Sequence, residues 1–123
     1  KKLTKEAIQT MLGFSLGQVG INSADLDEAV SVASQLSSIF GFDYKMGNSS
    51  IFAGEAVEIM KSPYLGQNGH IAIKTNSVER AVTYLNGMGI KFNESTRKTG
   101  PKGETKAIYF EEEIGGFAIH LKN

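Results

Sequence analysis

The sequence predicts an α+β domain in which two βαβββ modules pair into one curved mixed sheet, preceded by a short N-terminal helix. Three observations point there. First, the chain repeats itself: Gln18 aligns with His70 at an offset of 52 residues (70 − 18), which lays residues 26–30 over residues 78–82. Second, each copy sets an amphipathic helical stretch among runs that alternate apolar and polar residues, the periods of a helix and of half-buried strands. Third, neither half can bury a sheet face alone, so the two are expected to share one sheet. At 123 residues and 41% hydrophobic content, the chain suits a single folded domain.

Taken in order, residues 4–13 read as a helix capped by Thr4, with Ala7, Ile8, Met11 and Leu12 on its apolar side. The stretch "GQVGINS", residues 17–23, is the first strand. A helix follows in which Leu26, Ala29, Val30, Ala33, Leu36 and Phe40 share one face. Ser23 is its expected N-cap, and Asp25 and Asp27 sit in the first turn, where the helix dipole favours negative charge. Gly41 ends it. Strands are expected over residues 43–46, 49–53 and 55–60, with turns at Gly47-Asn48 and Gly54. Residues 61–68 have loop chemistry. The second module opens with "GHIAIKT", residues 69–75. Its helix has the stripe Val78, Val82, Leu85, a cap at Asn76 or Ser77, and a stop at Gly87 with Gly89. Strands over 91–97, 106–111 and 116–121 close the chain, with a glycine-rich turn at 99–103. The segments are thus 1–14, an N-terminal helix and linker, and 15–123, with modules 15–62 and 68–123.

Helices on one face of such a sheet leave the other face as a cup, and strand parity says what lines it. Val19 and Ile21 point to the helices, so Gln18, Gly20 and Asn22 face the cup. Ile71 and Ile73 are core, so His70 faces it. Val57 and Ile59 are core, so Glu58 faces it. Phe117, Ile119 and Leu121 are core, so His120 faces it. Both histidines of the protein therefore share one surface with a carboxylate and an amide.

Imidazole nitrogen and carboxylate oxygen are good ligands for Zn, Ni, Mn or Fe, and an amide oxygen is a weaker fourth. Two histidines and a carboxylate also make the facial set of non-haem iron. Against this, polar residues line any solvated sheet face, and Gln18 reads equally as a hydrogen-bond partner of Glu58. "RKTGPKGETK", residues 97–106, carries four basic residues and reads either as a lid for an anionic ligand group or as a solvated hairpin tip. Asn48, Ser49 and Ser50 read as cup donors or as a hairpin turn, and Phe52 and Tyr64 as aromatic walls or ordinary packing.

Charge and composition exclude several classes. Thirteen basic and 13 acidic residues cancel, which gives no electrostatic footprint for nucleic acid or an anionic membrane. No apolar run is long enough to span a bilayer, and no secretory leader pattern opens the chain. There is no cysteine, so no disulfide framework and no thiolate metal site. A cytoplasmic location is expected. The chain begins at Lys1, which raises the expectation that it is a piece of a longer polypeptide.

With four cup residues on the first and last strands of paired βαβββ modules, the chain resembles the vicinal oxygen chelate superfamily over about residues 15–123. That superfamily includes glyoxalase I, extradiol dioxygenases and fosfomycin-resistance proteins. Its glyoxalase-like members hold His or Gln, Glu, His and Glu at the four ligand positions, which here are Gln18, Glu58, His70 and His120. "EIGGFAIHL", residues 113–121, looks like the family's last-strand turn. "MLGFSLGQVGIN", "NSSIFAGEAVEIMKSPYLGQNGHIAIKTNSVERAVTYL" and "IGGFAIHL" are similar to the glyoxalase-like domain at the C-terminus of certain bacterial 2-keto-3-deoxy-6-phosphogluconate / 4-hydroxy-2-oxoglutarate aldolases. The resemblance implies a divalent metal, a small ligand with vicinal oxygens of the 2-oxo acid or sugar-acid class, a homodimer and an attached aldolase barrel. The barrel, and with it the aldolase's Schiff-base lysine, lies outside these residues.

Three functions stay open on the sequence. One is a metal-dependent lyase, isomerase or dioxygenase with Glu58 as the base. Another is a binding module that senses a ligand for an attached aldolase. The third is a dimerisation domain. His120 stands where glyoxalase I has a second glutamate, so Glu58 is the one carboxylate available to move a proton. A single carboxylate also leaves a bound divalent cation with net positive charge, a stronger Lewis acid held less tightly.

Overall fold

A computed structural model of the chain describes residues 3–123; residues 1 and 2 of the expected N-terminal segment lie outside the described residues. The elements run α1 (Lys5–Leu12), β1 (Ser15–Asn22), α2 (Leu26–Phe40), β2 (Tyr44–Met46), β3 (Ser50–Ala53), β4 (Val57–Met60), β5 (Gly69–Lys74), α3 (Val78–Gly87), β6 (Phe92–Thr99), β7 (Thr105–Phe110) and β8 (Phe117–Lys122). Each module is βαβββ, as its periodicity predicts.

Local chemistry sets the helix ends. Thr4 Oγ1 accepts from the Ala7 N–H, and Ser77 Oγ accepts from the Arg80 N–H. The cap of α2 differs from the expectation. Asp25, not Ser23, accepts from the Glu28 N–H at 2.9 Å, and Ser23 is buried instead. A carboxylate at the cap meets both the free N–H groups and the dipole, so it outcompetes a hydroxyl two residues earlier. Gly41 then closes α2 in the left-handed conformation, at φ 74°.

The eight strands form one sheet in the order β2-β3-β4-β1-β5-β8-β7-β6. Within each module the first strand runs parallel to the last, β1 with β4 and β5 with β8. The modules join through antiparallel β1 and β5, where Gln18 pairs with Ala72 and Gly20 with His70. The same register carries the repeat: Gln18 corresponds to His70 and Gly20 to Ala72, so an approximate twofold axis passes between these two pairs.

Two apolar clusters sit on the helical side, one per module. Ala29 and Ala33 of α2 pack on Ile51, Ala53 and Ile59. Val78 and Ala81 of α3 pack on Phe92, Ile108 and Leu121. Two members of the expected α2 stripe lie outside its cluster: Leu26 is 49% exposed and Phe40 63%. They occupy the two ends of the helix, beyond the strands that cover its middle. Helix α1 also departs from a simple lead-in to the first module. Leu12 is buried in the second module's core, and its carbonyl accepts from Thr75 Oγ1 at 2.6 Å and from the Asn76 N–H at 2.9 Å.

Candidate metal and ligand site

Three registers, two parallel and one antiparallel, bring the cup residues together. Gly20 of β1 is flanked by Glu58 on β4 and His70 on β5. One row away, Ala72 is flanked by Gln18 on β1 and His120 on β8. Directly paired residues point to the same side of a sheet, so all four predicted side chains face the cup.

Three of them meet at one atom. Glu58 Oε1 accepts from Gln18 Nε2 at 3.0 Å and lies 3.2 Å from His70 Nε2. The other carboxylate oxygen accepts from Ser50 Oγ at 2.7 Å. The His70 hydrogen bond is the main reason the Glu58 carboxyl sits below its ordinary range, and it outweighs the opposing effect of burial. Glu58 is therefore an anion at neutral pH. His70 is seated by an absence: a Cβ on Gly20 would lie 2.0 Å from His70 Cε1 and 2.2 Å from Nδ1. Only glycine leaves room for the imidazole to lie over the strand.

The fourth residue lies beside this knot. The His120 ring stacks on that of His70, with centroids 5.8 Å apart and 11° between planes. Tyr109 of β7 meets His120 edge-on at 4.6 Å, and Tyr64 meets Tyr109 in the same manner at 6.3 Å. Burial pushes His120 down to about 4, helped by the charges of His70, Lys122 and Lys98, so its ring is neutral at neutral pH. Burial pushes the Tyr109 phenol up to about 12, which keeps it a proton donor.

The donor types fit a divalent cation of the Zn, Ni, Mn or Fe kind: an ionised carboxylate, an amide and two imidazoles, one of them neutral. Two buried imidazole nitrogens, Nδ1 of His70 and Nδ1 of His120, have no hydrogen-bond partner among the described residues, an uncommon condition for buried polar atoms. The geometry is that of a hydrogen-bonded cluster, with Glu58 Oε1 at the meeting point. Among the described residues, no three His, Asp, Glu or Cys side chains surround one cation-sized space, because His120 stacks on His70 instead of facing Glu58.

A cavity of about 860 Å³ opens beside the cluster, between the loop after β4 and the wall made by β6, β7 and β8. Of the four predicted residues, only His120 lines it. His120 thus joins the open cavity to the more enclosed Glu58–His70 pair. Tyr64 and Ser49 line the cavity, whereas Phe52 pairs with Glu58 across β3 and β4. The basic stretch 97–106 divides: Arg97 and Lys98 belong to β6, Arg97 is held by Glu94 at 2.8 Å, and Lys106 lies 3.9 Å from Glu104.

Sequence reasoning left one contributor open and passed over two. Ser50, which reads from the sequence as a cup donor or as a turn residue, is the donor to Glu58 Oε2. Tyr109 alternates with the core residue Ile108 and so faces the cup. Gly20 offers no side chain to notice, and its role follows only from the ring that lies over it.

The geometry can be set beside solved structures. A hypothetical protein of Bacillus halodurans matches with a TM-score of 0.62 at 15% identity, over 89% of this chain and 93% of that one. Methylmalonyl-CoA epimerase from Mycobacterium tuberculosis matches with a TM-score of 0.55 at 17% identity, over 87% and 85%. A second methylmalonyl-CoA epimerase structure gives 0.57 at 15% identity, over 87% and 92%. This chain has the glyoxalase-like fold. No protein-family model and no curated protein sequence matches the chain. Among the described residues, no helix is long and apolar enough to cross a membrane.

Proposed function

We propose that this glyoxalase-like chain holds a divalent cation on Gln18, Glu58, His70 and His120, with the His120 ring turning from its stack on His70 to join the other three. Through it the chain engages a small ligand with adjacent oxygens, of the 2-oxo acid or sugar-acid class. The observation that carries the reading is the sharing of Glu58 Oε1 by Gln18 and His70 in a partly buried cup, beside two unpartnered imidazole nitrogens. A cation bound there would polarise the ligand's oxygens and favour an oxyanion or enolate. The chain's own residues supply the rest. Glu58 is ionised and can take a proton, Tyr109 can donate a hydrogen bond, and His120 presents a neutral ring to the cavity.

A second reading, binding without turnover, is favoured by one feature: both Glu58 oxygens are already engaged by Gln18, His70 and Ser50. The likeness of three stretches to the C-terminal domain of bacterial aldolases supports such a module serving an attached lyase. The reading includes a homodimer, supported by the exposed apolar residues Ile39, Phe40, Tyr44 and Met46 near the edge strand β2; sedimentation analysis measures it.

Metal content of protein purified without a histidine tag is the direct test. Retention of about one ion per chain, lost in Glu58→Gln and His70→Ala, supports the metal site. Protein that binds no Zn, Ni, Mn or Fe at micromolar concentration refutes it. Turnover of a 2-oxo acid that disappears in Glu58→Gln selects the enzyme; ligand-induced stabilisation without turnover selects the binding module.

A further inference from the structure

The sheet register places a second polar feature in the cavity. Lys98 of β6 pairs with Ala107 of β7, and Ala107 pairs with Lys122 of β8. Two lysines therefore straddle an alanine on the cup side of three neighbouring strands, and all three residues line the cavity. Adjacent strands lie about 4.8 Å apart, so the two lysine backbones are on the order of 10 Å apart. That gap lets two flexible stems close on one small anion above the alanine methyl.

The charges there are uncompensated. Among the described residues neither lysine forms an ion pair, and the contact of Lys122 Nζ is to the neutral amide oxygen of Gln18, at a long 3.4 Å. Arg97, the neighbouring cation, is by contrast held by both oxygens of Glu94. Lys122 is half-buried, and among the described residues no carboxylate lines the cavity. Asn93, Ser95 and Thr96 add polar groups on the same wall, where β6 bulges away from regular pairing with β7. The next row along the strands is Tyr109 and His120. Two residues of strand separate the rows, about 7 Å. An ammonium pair at that spacing from His120 suits the far end of a short acid.

We propose that Lys98 and Lys122 form an anion subsite that holds the distal carboxylate or phosphate of the ligand, with Ala107 as its floor. Its placement of the ligand's other end rests on the reading given above; the subsite's own existence does not. The ligand class narrows accordingly to small acids with a second anionic group, bound with their adjacent oxygens toward His120.

Calorimetric titration of protein stripped of metal with chelator and then desalted isolates the subsite from any metal. Inorganic phosphate is expected to bind saturably at low ionic strength and to weaken as salt rises. Binding should fall at least tenfold in Lys122→Met and in Lys98→Met and return in Lys122→Arg, with melting curves showing that each variant is folded. Acetate in place of phosphate separates the two sources: the tighter ion names the distal group, and either should show the same loss in the lysine variants. With divalent metal present, 2-oxoglutarate should bind at least tenfold tighter than 2-oxopentanoate, a chain of the same length with a methyl in place of the terminal carboxylate. That preference should vanish in the double variant. Absent phosphate and acetate binding in the wild type, or binding undiminished in the double variant, overturns the subsite. Failure to bind a divalent metal overturns the metal reading and leaves the metal-free titration untouched, so the two failures are separable.

Discussion

Gly20→Ala is the sharpest probe of how the site is built. The added methyl would lie 2.0 Å from His70 Cε1, 2.2 Å from Nδ1 and 2.6 Å from Nε2, so the ring must leave its seat. Its departure breaks the 3.2 Å contact with Glu58. Loss of a hydrogen bond to a charged group costs about 1.5–3 kcal/mol, and forcing extra volume into a packed site costs about 1–3 kcal/mol. Reduced freedom of the unfolded chain returns about 0.4–1 kcal/mol. The net expectation is a loss of about 1.5–5.5 kcal/mol, a large part of the roughly 5–15 kcal/mol that stabilises a domain. Chemical denaturation measures it, and a double-mutant cycle assigns it. In the His70→Ala background the methyl meets no ring, so Gly20→Ala should cost at least about 1 kcal/mol less than in the wild type. Equal cost in both backgrounds would refute the placement of His70 over Gly20. A divalent ion bound as tightly by Gly20→Ala as by the wild type would separately refute the role of His70 in holding it.

Other outcomes follow from the same geometry. Folding holds His120 at about 4 against an ordinary 6.5, so between those pH values the unfolded chain binds more protons and stability rises with pH. The contribution is complete above 6.5 and is lost as pH falls toward 4. The drop caps it at about 3 kcal/mol, and the ring's partial exposure reduces it to about 1–2 kcal/mol. Denaturation of metal-free protein at pH 7 and 4.5 should show this slope, and His120→Gln should flatten it; an unchanged slope in that variant would count against a buried neutral ring. Ser50→Ala removes the 2.7 Å donor to Glu58 Oε2 and should cost about 1–2 kcal/mol. It should also raise the Glu58 carboxyl toward 4.5 in an NMR titration, and a carboxyl that does not move would show the bond to be idle. Tyr109→Phe keeps the edge contact with His120 and should be close to neutral in stability, whereas Tyr109→Ala should cost about 2–4 kcal/mol in a melting experiment. Equal effects of the two changes would mean that the hydroxyl, not the ring, matters.

The sequence by itself determined the architecture. Alternation with period two, helical stripes and an internal offset of 52 residues were enough to place eight strands and three helices, because these signals are local and each module states them separately. Parity went further and put Gln18, Glu58, His70 and His120 on one face, since a strand side chain has only two sides to choose from. Parity knows nothing of register or rotamer. The pairing of β1 with β4 and β5 decided that Glu58 and His70 flank a glycine, and the pairing of β5, β7 and β8 decided that His120 lies among Ala72, Tyr109 and the stacked His70 ring. The exposure of Leu26 and Phe40 and the docking of Leu12 in the second module's core were settled in the same way. Each depends on what another segment brings to that point, and such meetings are made by long-range packing rather than by any neighbour in the chain.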